Sequence, residues 1–514
     1  LKRVAVLAWR QRAPMSWLLK LVGKSQGLQK DPEYSESDTG SECLASDLDR
    51  TEGSPDVDSI EEPMPPEDVL RLLKAGNDRF VRGASLAVRR NDVVRRERTD
   101  LDQPPHAAIV GCSDCQCALE TIFDSLPGDI FAFKNVGNTC IHANGSMAAS
   151  LEFCTDWGCR LILVLGHMPC VALQDATKAF FEKTPNHADR ALKSLLHDLR
   201  GVVEEAAEEL GSTNVEDVTR QAVRVNVFHT VEMLLRMSPG IRQSVRDGQL
   251  ELQAAVYDAQ TRQVEFLGRS KKQEELLLEE LSDWEPDLSP STASPGPCCG
   301  HHHGEPTVGL ACAAEISLEK LKEGNRRFIG GAIWNKAMER CTTPHSAVLA
   351  CGDVQAPMDV IFDAMPGEMF VMRNAGNTCT HSAGSIMSSF EFCVEKFNIP
   401  LILILGHTPC AAMAGAVRAH LAESEQPGLL ESLAAAAAQA EQQLEEGVCT
   451  SELCAHAVRL NVFHTMEMVL AQSQLLQLLA RQGRLDVQGG IYHKDTGVVE
   501  FLGRLPHQDQ VLAD

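Results

Sequence analysis

One stretch of this chain occurs twice, and in each copy two cysteines and a histidine close short apolar runs. In the first copy Ala107-Ala108-Ile109-Val110 leads into Gly111-Cys112-Ser113-Asp114, and Leu161-Ile162-Leu163-Val164-Leu165 leads into Gly166-His167-Met168-Pro169-Cys170. In the second, Ala347-Val348-Leu349-Ala350 precedes Cys351-Gly352-Asp353, and Leu401-Ile402-Leu403-Ile404-Leu405 precedes Gly406-His407-Thr408-Pro409-Cys410. Apolar runs of this length, ended by Gly, read as strands of a parallel sheet buried on both faces. Ligands of such sheets gather beyond the carboxyl ends of the strands. Two thiolates and an imidazole at one sheet edge form a Cys2His set, which leaves the fourth tetrahedral position of a zinc ion open. The alternative is a closed set in which the nearby Asp completes a purely structural zinc site. A lone His-x-x-Cys carries little weight. The full constellation, twice, points to zinc: one ion per repeat and two per chain.

The rest of the chain fits a two-domain protein. Its 514 residues exceed one ordinary domain, and 44% hydrophobic with 23% charged residues is a composition able to bury sizeable cores. A net charge of -24 excludes nucleic acid as a partner, because phosphate binding needs a basic surface. The eighteen cysteines do not form a small secreted framework, and several (Cys154, Cys159, Cys393) lie inside apolar or sheet-end segments. They read as metal-bound and buried free thiols in a reducing compartment.

The chain opens on Leu1 rather than Met, which reads as a processed or truncated amino end. Residues 1–30 hold seven Lys or Arg and no acid, with Trp9, Trp17, Leu18, Leu19, Leu21 and Val22 interspersed. Such a segment reads as an organelle transit region or one lying on a membrane surface, with a disordered basic tail as the alternative. Residues 31–68 reverse the sign, with fourteen acids against Arg50, and read as a disordered linker.

Matched segments divide the remainder into an extension (1–65), a first repeat (66–269), a linker (270–314), a second repeat (315–504) and a tail (505–514). Gly76-Asn77-Asp78-Arg79-Phe80 returns as Gly324-Asn325-Arg326-Arg327-Phe328. Pro127-Gly128 to Lys134-Asn135 returns as Pro366-Gly367 to Arg373-Asn374. Each repeat closes on a strand–turn–strand, at 255–269 and 490–504. This is duplication of a whole domain rather than a solenoid. The Cys298-Cys299-Gly300-His301-His302-His303 tract in the linker reads as an adventitious metal binder.

These paired clusters, with the Gly-Asn-x-Arg-Phe helix, Phe370-Val371-Met372-Arg373-Asn374-Ala375-Gly376-Asn377 and Gly489-Gly490-Ile491-Tyr492, give a sequence that resembles the β-class carbonic anhydrases over roughly 66–269 and 315–504. The tandem arrangement resembles the duplicated forms of algae. The resemblance implies an α/β fold of two homologous domains, each a mainly parallel sheet flanked by helices, packed as a pseudo-two-fold pair. It implies zinc ligands Cys112, His167 and Cys170 in the first repeat and Cys351, His407 and Cys410 in the second. It further implies reversible hydration of CO2 to bicarbonate, a chloroplast ahead of a mitochondrial or cytoplasmic location, and homo-oligomers of pseudo-dimeric chains.

Asp114 and Asp353 fall on the family's Asp of Cys-x-Asp-x-Arg, where a carboxylate can accept the nucleophile's proton in a hydrogen bond. The Arg of that motif is Gln116 in one copy and Gln355 in the other. A neutral amide lacks the charge and the two-pronged fork of a guanidinium. The expectation is therefore a bias toward Asp on the metal and weak turnover, unless a neighbour supplies the positive charge. Two further readings stay open: a non-catalytic, bicarbonate-responsive or assembly protein, and a zinc hydrolase of carbonyl sulfide or carbon disulfide. Of the other repeated residues, His142 and His381 read as backbone-satisfying groups with proton transfer as the alternative. Cys140 and Cys379 read as small buried hydrophobes, and His229 and His464 as structural.

Overall fold

The computed structural model describes residues 65–84, 104–140, 145–182, 190–279, 309–329, 343–382, 384–424, 429–445 and 448–513. Residues 1–64, His142 and the Cys298–His303 tract lie outside them.

The apolar runs form strands as their composition dictates. The first repeat contributes β1 (Ala107–Cys112), β2 (Ile130–Asn135), β3 (Leu161–Met168), β4 (Glu251–Asp258) and β5 (Val264–Gly268). The second contributes β6 (Ser346–Cys351), β7 (Met369–Asn374), β8 (Leu401–Thr408), β9 (Asp486–His493) and β10 (Val499–Gly503). Every residue of β1, β2 and β6 is buried. That is what burial on both faces of a parallel sheet requires. Within each repeat the pairings β2–β1–β3–β4 and β7–β6–β8–β9 are parallel, and each closing hairpin is antiparallel.

The two half-sheets join into one ten-stranded sheet in the order β10-β9-β8-β6-β7-β2-β1-β3-β4-β5. The order reads the same from either side of its centre. There β2 and β7 pair antiparallel through Lys134 and Arg373, the pseudo-two-fold arrangement in full. The seam is held by more than this pairing. The Val136 N–H donates to Ser389 Oγ and the Ala375 N–H to Ser150 Oγ, each at 2.9 Å. The Arg373 guanidinium pairs with Glu120 of the first repeat, both buried. A Cβ on Gly352 would lie 2.2 Å from the Phe133 ring, so the two repeats meet there with no room for a side chain.

The repeated Gly-Asn-x-Arg-Phe element is explained by how its helix docks. Asn77, on helix Pro66–Val81, donates to the carbonyls of Ile122 and Arg262 at 3.1 Å and accepts from the Val264 N–H. Asn325, on helix Gly309–Ile329, donates to Ile361 and Gly497 and accepts from Val499. One side chain thus ties the helix to the strand connection and to the closing hairpin. Arg79 pairs with Asp124, and Arg327 with Asp363, both at 2.5 Å.

The ordered elements run beyond the expected repeat edges. Helix Gly309–Ile329 starts inside 270–314, and helix Gln273–Leu278 follows the first closing hairpin, with the Glu279 carbonyl accepting from Arg242 at 2.7 Å. In 505–514, Leu505 is buried and helix Gln508–Ala513 accepts from Gln477 through the Val511 carbonyl. Thirteen cysteines of the described residues are free thiols, and among the described residues no helix is long and apolar enough to cross a membrane.

Candidate metal centres

Each centre is assembled by three elements. Cys112 ends β1, His167 lies near the end of the neighbouring β3, and Cys170 immediately precedes helix Val171–Glu182. Cys351, His407 and Cys410 occupy the same places on β6, β8 and the start of helix Ala411–Leu421. The sulfurs stand 4.0 Å apart in the first centre and 3.9 Å in the second. Two metal–sulfur bonds of about 2.3 Å at the tetrahedral angle place sulfurs about 3.8 Å apart, so the spacing suits one zinc ion.

The unpaired atoms point the same way. His167 Nε2 is buried with no hydrogen-bond partner, and so are both ring nitrogens of His407. Buried polar atoms are ordinarily satisfied, and a metal accounts for an imidazole nitrogen that is not. The ligand atoms of Cys112, His167 and Cys170 all lie within 4.8 Å of one another, and in the second centre Asp353 joins the set.

The two sulfurs of each set are electrostatically unlike. Burial pushes the Cys112 thiol up, but the Cys170 thiol and the His167 imidazole outweigh it and hold Cys112 well below the ordinary range. Cys170 is driven far up by its hydrogen bond to Cys112 and by burial. Cys351 and Cys410 repeat the division. The opposed directions make Cys112 and Cys351 the more acidic sulfur of each pair, and a bound dication would hold both sulfurs of a pair as thiolates.

A backbone donor supports each charged sulfur. The Gly137 N–H donates to Cys112 Sγ and the Gly376 N–H to Cys351 Sγ, both at 3.2 Å. These glycines sit at φ 71° and 72°, a left-handed conformation that glycine adopts without strain. The loop is fixed from behind. Asn226 donates to the Gly137 carbonyl at 2.7 Å and Thr230 to the Asn138 carbonyl at 3.1 Å. Asn461 and Thr465 do the same for Gly376 and Asn377. The Gly-Asn-Thr-Cys segment was visible in the sequence, but nothing local said that its amide faces a sulfur.

Both aspartates reach their centres. Asp114 Oδ2 accepts from the Val171 N–H at 2.6 Å and lies 3.7 Å from His167 Nε2. Asp353 Oδ2 accepts from the Ala411 N–H at 2.9 Å and lies 3.6 Å from His407 Nε2. Burial pushes the Asp114 carboxyl above the usual carboxylate range. Gln116 is exposed and Gln355 half-buried. Lys494, which the sequence reading passed over, places its Nζ 3.6 Å from Asp353 Oδ1.

The other described histidines and cysteines stand apart from the ligand sets. His381 is exposed, its Nδ1 2.8 Å from Thr380 Oγ1, while its carbonyl accepts from the Gly384 N–H. His464 Nε2 is 2.9 Å from Gln439 Oε1 on the neighbouring helix. His229 lines a small cavity with Asp198, Asn226 and Thr230. Burial pushes the Cys140 and Cys379 thiols up to about 12, so they remain neutral buried groups.

A mainly parallel α/β sheet carrying a buried Cys2His set and an adjoining carboxylate at its carboxyl edge, made twice, defines a duplicated α/β protein with two candidate metal centres. The carbonic anhydrase family model matches residues 107–264 and 346–499, one match in each repeat and more than half of the chain. The chain belongs to the carbonic anhydrase family, and its repeats are two β-carbonic-anhydrase-like domains.

Over 115 residues it is 34% identical to the carbonic anhydrase of Mycolicibacterium smegmatis, covering 21% of this chain and 54% of that protein. Over 171 residues it is 28% identical to the carbonic anhydrase of Pseudomonas aeruginosa, covering 32% and 77%. The solved β-carbonic anhydrase CafA of Aspergillus fumigatus matches 40% of this chain and 93% of its own at 23% identity, with a TM-score of 0.30. The chain spans about half the length of the first curated relatives, 54% and 50%.

Two zinc ions per chain are expected by elemental analysis of zinc-replete protein. Cys112→Ser or Cys351→Ser is expected to remove one ion and leave the other. A parent holding clearly fewer than two would contradict the ligand sets.

Proposed function

We propose that this chain hydrates CO2 reversibly to bicarbonate at two zinc centres. The observation that carries the reading is the pair of buried Cys2His sets, each with an unsatisfied imidazole nitrogen and a carboxylate beside it. Zinc held there supplies a Lewis acid that makes water nucleophilic near neutral pH. Two thiolates lower the ion's net charge and soften that effect. The Gly137 and Gly376 N–H donors draw part of the thiolate charge back. Asp114 and Asp353 can orient the nucleophile by accepting its proton in a hydrogen bond. The apolar strands behind the centres exclude bulk water from the far side.

Turnover is proposed to be modest, and a specific distance supports this. In the second centre Asp353 Oδ2 lies 3.6 Å from His407 Nε2 and within the ligand set, close enough to compete for the fourth tetrahedral position. The same distance favours, as second reading, a non-catalytic protein with closed centres.

Stopped-flow CO2 hydration decides between them. The zinc-replete chain is expected to exceed Cys112→Ser/Cys351→Ser by about a hundredfold or more, within the range that removing a catalytic metal produces. Equal rates would leave the closed, non-catalytic reading.

An algal-type tandem form, a chloroplast location ahead of a mitochondrial one, membrane contact through residues 1–30 and homo-oligomers of whole chains belong to the same proposal. The basic, acid-free start supports the targeting part. Imaging of the tagged chain and light scattering test location and assembly.

A further inference from the structure

We infer that Lys494 is a positioning residue that makes the second metal centre the one able to open. The inference rests on the two-centre zinc reading above. Asp353 has two oxygens with different partners. Oδ2 accepts from the Ala411 N–H and faces His407, whereas Oδ1 lies 3.6 Å from Lys494 Nζ. Both side chains are about nine-tenths buried, and Lys494 Nζ has no hydrogen-bond partner. A buried ammonium without a partner is costly, and the carboxylate is the anion that compensates it.

The lysine is placed by the fold. It follows β9, and its N–H donates at 3.0 Å to the carbonyl of Thr408, the residue after the ligand His407. The ammonium therefore holds the carboxylate from the side away from the imidazole. A carboxylate turned off the metal keeps a counter-charge, so vacating the fourth position does not strand an unpaired anion.

The first centre lacks this partner. The residue whose N–H donates to Met168, the match of Thr408, is Ala259. Among the described residues no Lys or Arg lies within ion-pair distance of Asp114. Lys134, on β2, donates to the Cys115 carbonyl at 2.7 Å and acts on Asp114 from beyond ion-pair distance. Asp114 leaving the metal would keep the Val171 N–H and the more distant charge of Lys134. The two centres, alike in their Cys2His sets, differ in the carboxylate: Asp353 lies within the ligand set with Lys494 behind it, and Asp114 lies outside the set with no such partner.

Cobalt(II)-loaded full-length protein tests this through its visible spectrum, with azide as the probe of an open position. Cys112→Ser isolates the second centre and Cys351→Ser the first. Azide is expected to shift the bands of the second centre and leave those of the first unchanged. Lys494→Met in the isolated second centre is expected to weaken azide binding on the order of tenfold, by lowering the open fraction. Lys494→Arg should retain binding, and Ala259→Lys should confer it on the first centre. Unchanged cobalt content and thiolate charge-transfer intensity establish that a variant is intact.

Azide binding in Lys494→Met equal to the parent's would overturn the inference, as would a second centre silent in the parent. If Lys494→Met fails to load, the Ala259→Lys arm decides, and no gain there rejects the inference. Absent CO2 hydration with the expected azide pattern would reject the hydration reading alone.

Discussion

Arg373→Met is expected to destabilise the chain by about 3–5 kcal/mol, the cost of leaving a buried ion without its partner. Arg373 sits at the centre of the sheet, opposite Lys134, and almost no solvent reaches it. Its guanidinium donates to the carbonyls of Cys351, Gly352 and Val354, and pairs with Glu120 across the seam. One side chain therefore serves two structures: the loop that carries Cys351 and Asp353, and the junction of the repeats.

Removing it leaves Glu120 buried beside Asp359, whose carboxyl is already pushed up to about 6 by burial and by Glu120. Lysine is no equivalent, because it supplies charge without the fork that reaches three carbonyls. Urea denaturation measures the cost, and Arg373→Met/Glu120→Gln should recover part of it by removing the stranded charge. A single variant as stable as the parent would show that the seam does not depend on this residue.

Gly324→Ala is expected to cost about 3 kcal/mol or more, by forcing a methyl into backbone rather than into a movable side chain. A Cβ there would lie 1.6 Å from the Phe362 carbonyl oxygen and 2.5 Å from its carbon; at Gly76 the corresponding distances to Phe123 are 1.8 and 2.7 Å. Helix Gly309–Ile329 would have to back away, stretching the bonds from Asn325 to Ile361 and Gly497. Those bonds fix the helix against the closing hairpin, so hydrogen exchange should rise along residues 309–329. Glu323→Ala, exposed one residue earlier on the same helix, controls for propensity and should change stability by roughly 0.5 kcal/mol or less. If both substitutions melted alike, the close approach would be refuted.

Much of this was readable from the chain because the signals are local. Leu161–Leu165 and Leu401–Leu405 can satisfy their burial only inside a sheet, and the residues that follow each run are delivered to its edge. Hence the convergence of six Cys and His residues into two sets, the parallel strands and the duplication were legible. What escaped depends on segments far apart in sequence. Lys494 reaches Asp353 only because β9 lies beside β8, and Ala259 against Lys494 is a difference seen once the two hairpins are superposed. The sequence reading found the charge missing at Gln116 and Gln355, two residues past each Asp, and left its replacement to an unnamed neighbour. The structure places a lysine beside one Asp from well over a hundred residues downstream. Likewise, that Arg373 answers Glu120 cannot be inferred from either neighbourhood, because the seam brings them together. Helix Gln508–Ala513 lacked a strong apolar period of its own, yet it docks against the helix that contains Gln477.

The contact of Phe133 with Gly352 gives the junction a handedness that two identical halves would not have. Ser113 occupies in the first repeat the place that Gly352 occupies in the second; each donates its N–H to the carbonyl of the Asn that ends the neighbouring strand. A first repeat meeting another first repeat would drive the Phe133 ring into the Cβ of Ser113, where only the bare backbone of Gly352 makes room. The interface works as a keyed joint, closing between unlike halves and jamming between two first repeats. Joining the repeats in one chain lets each side of the dyad take the residue that its opposite needs, a freedom closed to a symmetric pair, in which every change is made twice and must face itself.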